Sequence, residues 1–587
     1  MKTQCVVEQD GNLFPTKWNK MPSCSTLVML WLALALTVWA QGTTGSISGR
    51  VVAEDGQPMS RVPVMVVASS TDAAKVMSGM RRSLTDNDGR FQADGLLPAA
   101  YQILVQAPGY VMAAFENPLA MSAHRIGDTP TVLMRKGAAI TGRVTDAAGH
   151  PLVGIRVVAE PAEGSGFMMQ MLSVGNSMAN MQPRTTDDRG QFRLYGLPPG
   201  RYLIAANGAA LMDAQPNPYS GQAPTYHPSA TRDAATIVTL NSGGEASGVD
   251  IRFRGSVGYA VSGKLKGLAA GDGMVSSVTT VQLKQGNADN ILATTMIFPM
   301  GGSDGFAFYG VANGEYELLA QQTMMKDQSV LRAAPLRVTV KDTDVTNLSL
   351  TLSAMASISG KLVLAEPAAP ACKDARASEL NEATLRLERA PATKKQPELR
   401  ALFGEAAQSF VEENGAFRFF GLAAGTFWVR PDLPSPQWYV KAMAAEKPAT
   451  VSAATGIALK AGEKLATLTL TLATDGAQLQ GRVVAADKAQ LARQIFLVPA
   501  EAETQSQAHR YAETVSANDG GFGFASLAPG KYWLVTRPAA KPDEPPRQPL
   551  AWDATERAKL VKEAAAANQA VELKGCQSLK QQEIKLP

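Results

Sequence analysis

Four cysteines and four histidines among 587 residues leave little material for a disulfide-dense scaffold or a multi-ligand zinc site. None of the histidines, His124, His150, His227 and His509, stands in a His-x-x-Glu or His-Glu-x-x-His arrangement. Charged residues are scarce at 18%, and 56 basic against 52 acidic residues leave a formal charge of only +4. No basic block occurs, which argues against a nucleic-acid binder. No apolar run reaches the roughly 20 residues that a membrane-spanning helix needs.

The one uncharged apolar run is Leu27 to Trp39, preceded by Lys17 and Lys20 and followed by the small residue Ala40. That order reads as a secretory signal over 1–40, with cleavage leaving Gln41 first. An uncleaved anchor is the competing reading, and translation from Met21 is an alternative start. No lipobox surrounds Cys24. The expectation is export to the periplasm, cell surface or medium, without integral membrane insertion after cleavage.

What the sequence has is hydrophobic residues (45%), 51 glycines and 35 prolines. Length alone suggests about four domains, or more if they are small. A repeat sharpens this. The stretches Gly89-Arg90-Phe91, Gly190-Gln191-Phe192, Gly305-Phe306, Gly415-Ala416-Phe417 and Gly521-Phe522 each lead to a closing aromatic ten residues after the Phe: Tyr101, Tyr202, Tyr316, Phe427 and Tyr532. Five residues after each Phe comes an aliphatic: Leu96, Leu197, Val311, Leu422, Leu527. An acidic or amide residue before a glycine makes a tight turn, the Phe opens an inward-facing strand, and the closing aromatic starts another.

Upstream of each signature lies a Gly-Arg or Gly-Lys strand, at Gly49-Arg50, Gly142-Arg143, Gly263-Lys264, Gly360-Lys361 and Gly481-Arg482. Each repeat is expected to finish on an alternating strand, at 132–134, 249–253, 348–352, 468–472 and 571–573. Short strands of period two with Gly and Pro turns predict an all-β chain of five tandem antiparallel β-sandwich domains, over 41–136, 137–255, 256–354, 355–473 and 474–587. Helical periodicity is convincing only over 552–567, a helical insertion in the last repeat.

The Gly-Arg-Val, Asp-x-Gly-x-Phe and Gly-Leu-x-Pro-Gly-x-Tyr order resembles the bacterial carboxypeptidase regulatory-like domain, which is transthyretin-like and related to collagen-adhesin B-type repeats. The resemblance implies a prealbumin-like, carbohydrate-binding-like sandwich. It does not imply peptidase activity, since the regulatory domain is an accessory to a separate catalytic domain.

The search for chemistry returns little. Gly301-Gly302-Ser303-Asp304-Gly305 has the spacing of a nucleophile elbow but runs into a strand, not a helix. Thr85 to Gly89 resembles the opening of a calcium loop, but Leu97 stands where the bidentate Glu belongs. Met168, Met169, Met171, Met178 and Met181 read as adaptable packing surface. A Lys–Asn crosslink of the adhesin kind needs a buried first-strand lysine, and only Lys264 and Lys361 qualify by type. Cys372 and Cys576 remain after leader removal. Export permits a disulfide between them, and two separate buried thiols are the alternative. Tyr219, Tyr226, His227, Trp438 and Tyr439 are candidate ligand-contact residues for sugar stacking, with burial against their own sandwich as the competing reading.

These observations point to a non-enzymatic exported protein, a rod of sandwich domains without cofactors. Its expected partners are extracellular or envelope proteins or polysaccharides. Carbohydrate binding through loop aromatics is the alternative, and a latent hydrolase the remote one.

Overall fold

The structure, a computed structural model, describes residues 44–70, 73–113, 123–162, 185–207, 218–219, 221–269, 276–285, 291–297, 304–366, 372, 378–390, 408–445, 451–452, 456–484, 492–539 and 553–585. The predicted signal segment, the methionine cluster and Ser303 lie outside them. No described helix is long and apolar enough to cross a membrane.

The first repeat sets the pattern. One sheet holds, in spatial order, the strands Arg90–Leu96, Gly45–Ala53, Thr131–Lys136 and Tyr110–Met112. The other holds Arg81–Leu84, Pro63–Ala68 and Tyr101–Val105. Alternate residues of both layers face each other, so Ile47, Val51, Phe91 and Leu96 meet Val64, Val66, Tyr101 and Ile103 in one core. Four more cores follow in chain order, around Phe192 and Tyr202, Phe306 and Tyr316, Phe417 and Phe427, and Phe522 and Tyr532. None of these ten signature aromatics is more than 8% exposed. In the third repeat the strand Val330–Ala333 pairs with both layers and joins them into one sheet.

Most pairing is antiparallel, as the short connections require. Each repeat also pairs its Gly-Arg or Gly-Lys strand in parallel with its final strand, and in the second repeat Glu245–Ala246 adds a second short parallel pairing to the same strand. The pairing with the final strand corrects one expectation. In the fifth repeat the strand beside Ala477–Val484 is Ser578–Lys585, whereas Ala570–Leu573 pairs with Gly530–Pro538 in the opposite layer. The short run at 571–573 alternates well enough to resemble a final strand, but the chain makes one further turn after it.

The predicted helical insertion is the helix Ala554–Ala567. Asp553 caps it, its carboxylate accepting from the Glu556 amide at 2.9 Å, and Asn568 ends it in the left-handed region at φ 48°. Leu560 and Ala564 cover Phe496 and Val498 on the outer face of the strand Arg493–Pro499, whose Ile495 and Leu497 face the core, and Val535 of the neighbouring strand Gly530–Pro538. Burial on both faces accounts for the uninterrupted apolar run at 495–498.

The repeats also meet beyond their neighbours. Arg125 of the first repeat reaches the fourth, its Nε donating to the Glu382 carbonyl at 2.9 Å. A straight series of repeats, the expected rod, does not allow that contact.

Candidate functional site

The loop between the signature Phe strand and the closing aromatic is built alike in four repeats. The hydroxyl of Tyr101 donates to the Leu97 carbonyl at 2.6 Å, and Tyr202, Tyr316 and Tyr532 donate to Pro198, Ala312 and Ala528 at 2.8 Å each. Each bond ties the ring to the residue four positions before it and fixes the loop over the end of the core. Burial pushes all four phenols up to about 12, so they remain protonated donors. In the fourth repeat Phe427 fills the same place without a hydroxyl.

The acidic turns are equally occupied. Asp86 accepts from the amides of Asp88 and Arg90, Asp146 from Ala148 and His150, and Asp187 from Arg189 and Gln191, all at 2.7–3.0 Å. Asp519 and Asn414 hold the corresponding turns of the fifth and fourth repeats. The arginine after the first-strand glycine reaches back to the turn, with Arg50 donating to Asp88 O and Arg143 to Arg189 O at 2.9 Å. Of the carboxylates that resemble a calcium loop, Asp86 therefore serves its own backbone, and Asp88 stands 3.6 Å from the Arg90 guanidinium.

The five candidate stacking residues fall into two groups, one in the second repeat and one in the fourth. Tyr219 packs edge-on against Phe253, ring centroids 6.0 Å apart, and donates to the Val153 carbonyl. Tyr226 is buried, its hydroxyl donating to Glu160 at 3.0 Å, and Arg232 Nε meets the same carboxylate at 3.2 Å. Burial raises the Glu160 pKa, opposed by Arg232 and Tyr226. His227 Nδ1 donates to the Asp250 carbonyl at 2.6 Å. Trp438 belongs to the fourth core. Tyr439 packs with Ala473 and Ala528 where the fourth repeat meets the fifth, and burial, helped by Asp475, pushes its phenol up to about 12. The faces of Tyr226, Trp438 and Tyr439 are turned into protein, and no sugar can stack on them in this arrangement. Among the described residues the exposed aromatics are others: Tyr309, 73% exposed, and Tyr195, 41% exposed, each three residues after its signature Phe. Strand parity was the signal for them, since an odd offset from an inward Phe points outward.

The remaining candidates stay apart. His150 sits 3.2 Å from Asp146 in its own turn, His124 exchanges backbone hydrogen bonds with Tyr101, and His509 lies in the fifth repeat, burial and then Arg510 holding its pKa down at about 4. Lys264 is exposed and 3.6 Å from Asp304, and Lys361 is exposed. Among the described residues no group of three or more His, Cys, Asp or Glu side chains is placed to hold a metal ion. An open groove on the first repeat is lined by Arg50, Leu84, Asp86, Arg90 and Thr131. Cys372 and Cys576 form a disulfide with Cα atoms 5.3 Å apart, tying a loop of the fourth repeat to the turn before the last strand of the fifth.

The sequence resemblance has a counterpart in comparison with known families. Residues 46–123 and 139–252, the first two repeats, match the carboxypeptidase regulatory-like domain. No curated protein matches the chain. Among solved structures it is similar to the TIE protein of Bacillus anthracis, with 14% identity, 53% of this chain and 51% of that one covered, and a TM-score of 0.14. The chain thus spans about half the length of that protein. It is also similar to the minor pilin of Streptococcus agalactiae, with 11% identity, 36% and 96% covered, and a TM-score of 0.20. For the full-length major pilin of Corynebacterium diphtheriae the values are 10% identity, 74% and 98% covered, and a TM-score of 0.13. Likenesses at this level do not extend to function.

Proposed function

We propose that this chain is an exported, non-enzymatic scaffold of the bacterial cell envelope, built of five sandwich domains over 41–136, 137–255, 256–354, 355–473 and 474–587. Its role is to hold and present contact surfaces to envelope or extracellular proteins or polysaccharides. One observation carries the reading. The polar groups that recur with the repeat are engaged in the repeat's own architecture, tyrosine hydroxyls on loop carbonyls and aspartates on turn amides. The recurring residues thus account for the frame, and the loops that differ between repeats are left for recognition. The leader-like segment at 1–40 supports export.

Polysaccharide binding is the second reading, favoured by the outward Tyr309 and Tyr195. Calorimetric titration of the purified protein with peptidoglycan fragments, xylan and pectin tests it. Heat that disappears in Tyr309→Ala and Tyr195→Ala supports this second reading. No heat with any glycan removes it and leaves protein contacts.

A further inference from the structure

The signature loops do more than close their own cores. In the fifth repeat the Ser526 amide donates to the Pro436 carbonyl of the fourth at 2.9 Å, and Ala528 packs on Tyr439. In the fourth, Gly421 lies against Val330 of the third. In the second, the strand Gln191–Leu197 touches Tyr110–Met112 of the first. Each of these elements rests on the repeat before it.

The first repeat has no described repeat before it, and its loop rests on the fourth instead. Asn381 meets it twice, donating from Nδ2 to Pro98 O at 2.7 Å and accepting from the Ala100 amide at 3.3 Å. Arg125 adds three contacts, to the Glu382 carbonyl at 2.9 Å, the Asp432 carbonyl at 3.1 Å and the Asp432 carboxylate at 3.2 Å. Lys75 pairs with Glu413 at 3.2 Å and Glu412 at 3.5 Å.

The chemistry of this contact differs from that between the fourth and fifth repeats. The latter has a disulfide and apolar packing of Trp428 and Met443 on Ala508. The contact between the first and fourth repeats rests on charge and hydrogen bonds, with the Lys75 side chain 44% exposed. Exposed ion pairs contribute little and are screened by salt, whereas the Arg125 side chain, only 13% exposed, holds two carbonyls and a carboxylate and carries most of the contact.

We propose that the contact between the first and fourth repeats is a reversible intramolecular latch, keyed by Arg125, which seats the signature loop of the first repeat on the fourth and opens without unfolding any repeat. Opening frees the Pro98 carbonyl, the Ala100 amide and the Glu382 carbonyl, groups bonded across the contact in the closed form, and uncovers the buried Ala100 and Glu382.

The test uses the full chain, with small-angle scattering and amide hydrogen exchange on wild type, Arg125→Glu and the swap Arg125→Glu/Asp432→Arg. The latch predicts a larger radius of gyration for Arg125→Glu and exchange of the Ala100 amide faster by about tenfold or more, the scale of a lost charge-assisted hydrogen bond. The Ser526 amide, in the contact between the fourth and fifth repeats, keeps its protection, and the swap recovers part of both losses. An unchanged radius and unchanged Ala100 exchange in Arg125→Glu overturn the proposal. So does loss of Ser526 protection in step with Ala100, which would make the contact part of one cooperative fold.

Discussion

Gly360 and Phe417 are direct partners across two antiparallel strands, and the Phe417 ring occupies the space of a side chain on Gly360, its Cζ 2.5 Å from where a Cβ would stand. The same pairing recurs as Gly49 with Phe91, Gly142 with Phe192, Gly263 with Phe306 and Gly481 with Phe522. In four of the five repeats, at Gly49, Gly142, Gly360 and Gly481, the first-strand glycine is thus the seat of the signature ring, with a carbonyl in or just before the adjacent final strand closing the other side. Gly360→Ala must push a ring or a strand aside. Overpacking of this kind costs about 1–3 kcal/mol, read as a lower denaturation midpoint for the fourth repeat. An unchanged midpoint would show that the ring is not held there.

The tyrosine-to-loop bond gives a milder prediction. Tyr532→Phe keeps the ring and removes the hydroxyl that the Ala528 carbonyl accepts from at 2.8 Å. A loss of about 1 kcal/mol is expected from urea unfolding, since one neutral hydrogen bond is removed and no cavity is made. The fourth repeat already tolerates this state with Phe427.

His509 gives the pH dependence. Burial, with Arg510 adding to it, holds its pKa at about 4 against an ordinary value near 6.5. The folded chain therefore resists a proton that the unfolded chain accepts. The stabilisation is complete above pH 6.5 and is lost as pH falls toward 4, by roughly 3 kcal/mol at most. Melting temperatures of wild type and His509→Gln measured between pH 7.5 and 4.5 should converge as pH falls. Parallel curves would contradict the assignment.

How much of this was legible in the sequence depends on range. Phe91, Leu96 and Tyr101 sit at fixed short offsets, and local spacing of that kind reports turns, alternation and the inward face. The helix at 554–567 was visible for the same reason, through its 3.6-residue period. Pairings between distant segments left no mark. Nothing in Gly481-Arg482 announces a parallel partner at Ser578–Lys585, and nothing in Arg125 announces Asp432. The surroundings of the candidate aromatics are less legible. Trp438 and Tyr439 follow a proline-rich stretch that resembles a loop, yet both rings are buried, because the fifth repeat and the fourth core cover them. Tyr309 carries its signal only in its offset from Phe306, which places it outward.

The Cys372–Cys576 bond spans 204 positions. Closing so long a loop restrains the unfolded chain by about 5 kcal/mol in the chain-entropy account. Denaturation with and without reductant should therefore move the transition of the fifth repeat to lower denaturant. Coincident curves would mean that its apolar contacts with the fourth repeat suffice alone.

The central claim is that the chain binds and presents but converts nothing. The most direct measurement incubates the purified protein with peptidoglycan, xylan, pectin and casein, and follows reducing ends and free amines alongside calorimetric binding. The account predicts that every probe is recovered intact, whether or not it binds. Steady release of either product, abolished by substituting a residue of this chain, would contradict it.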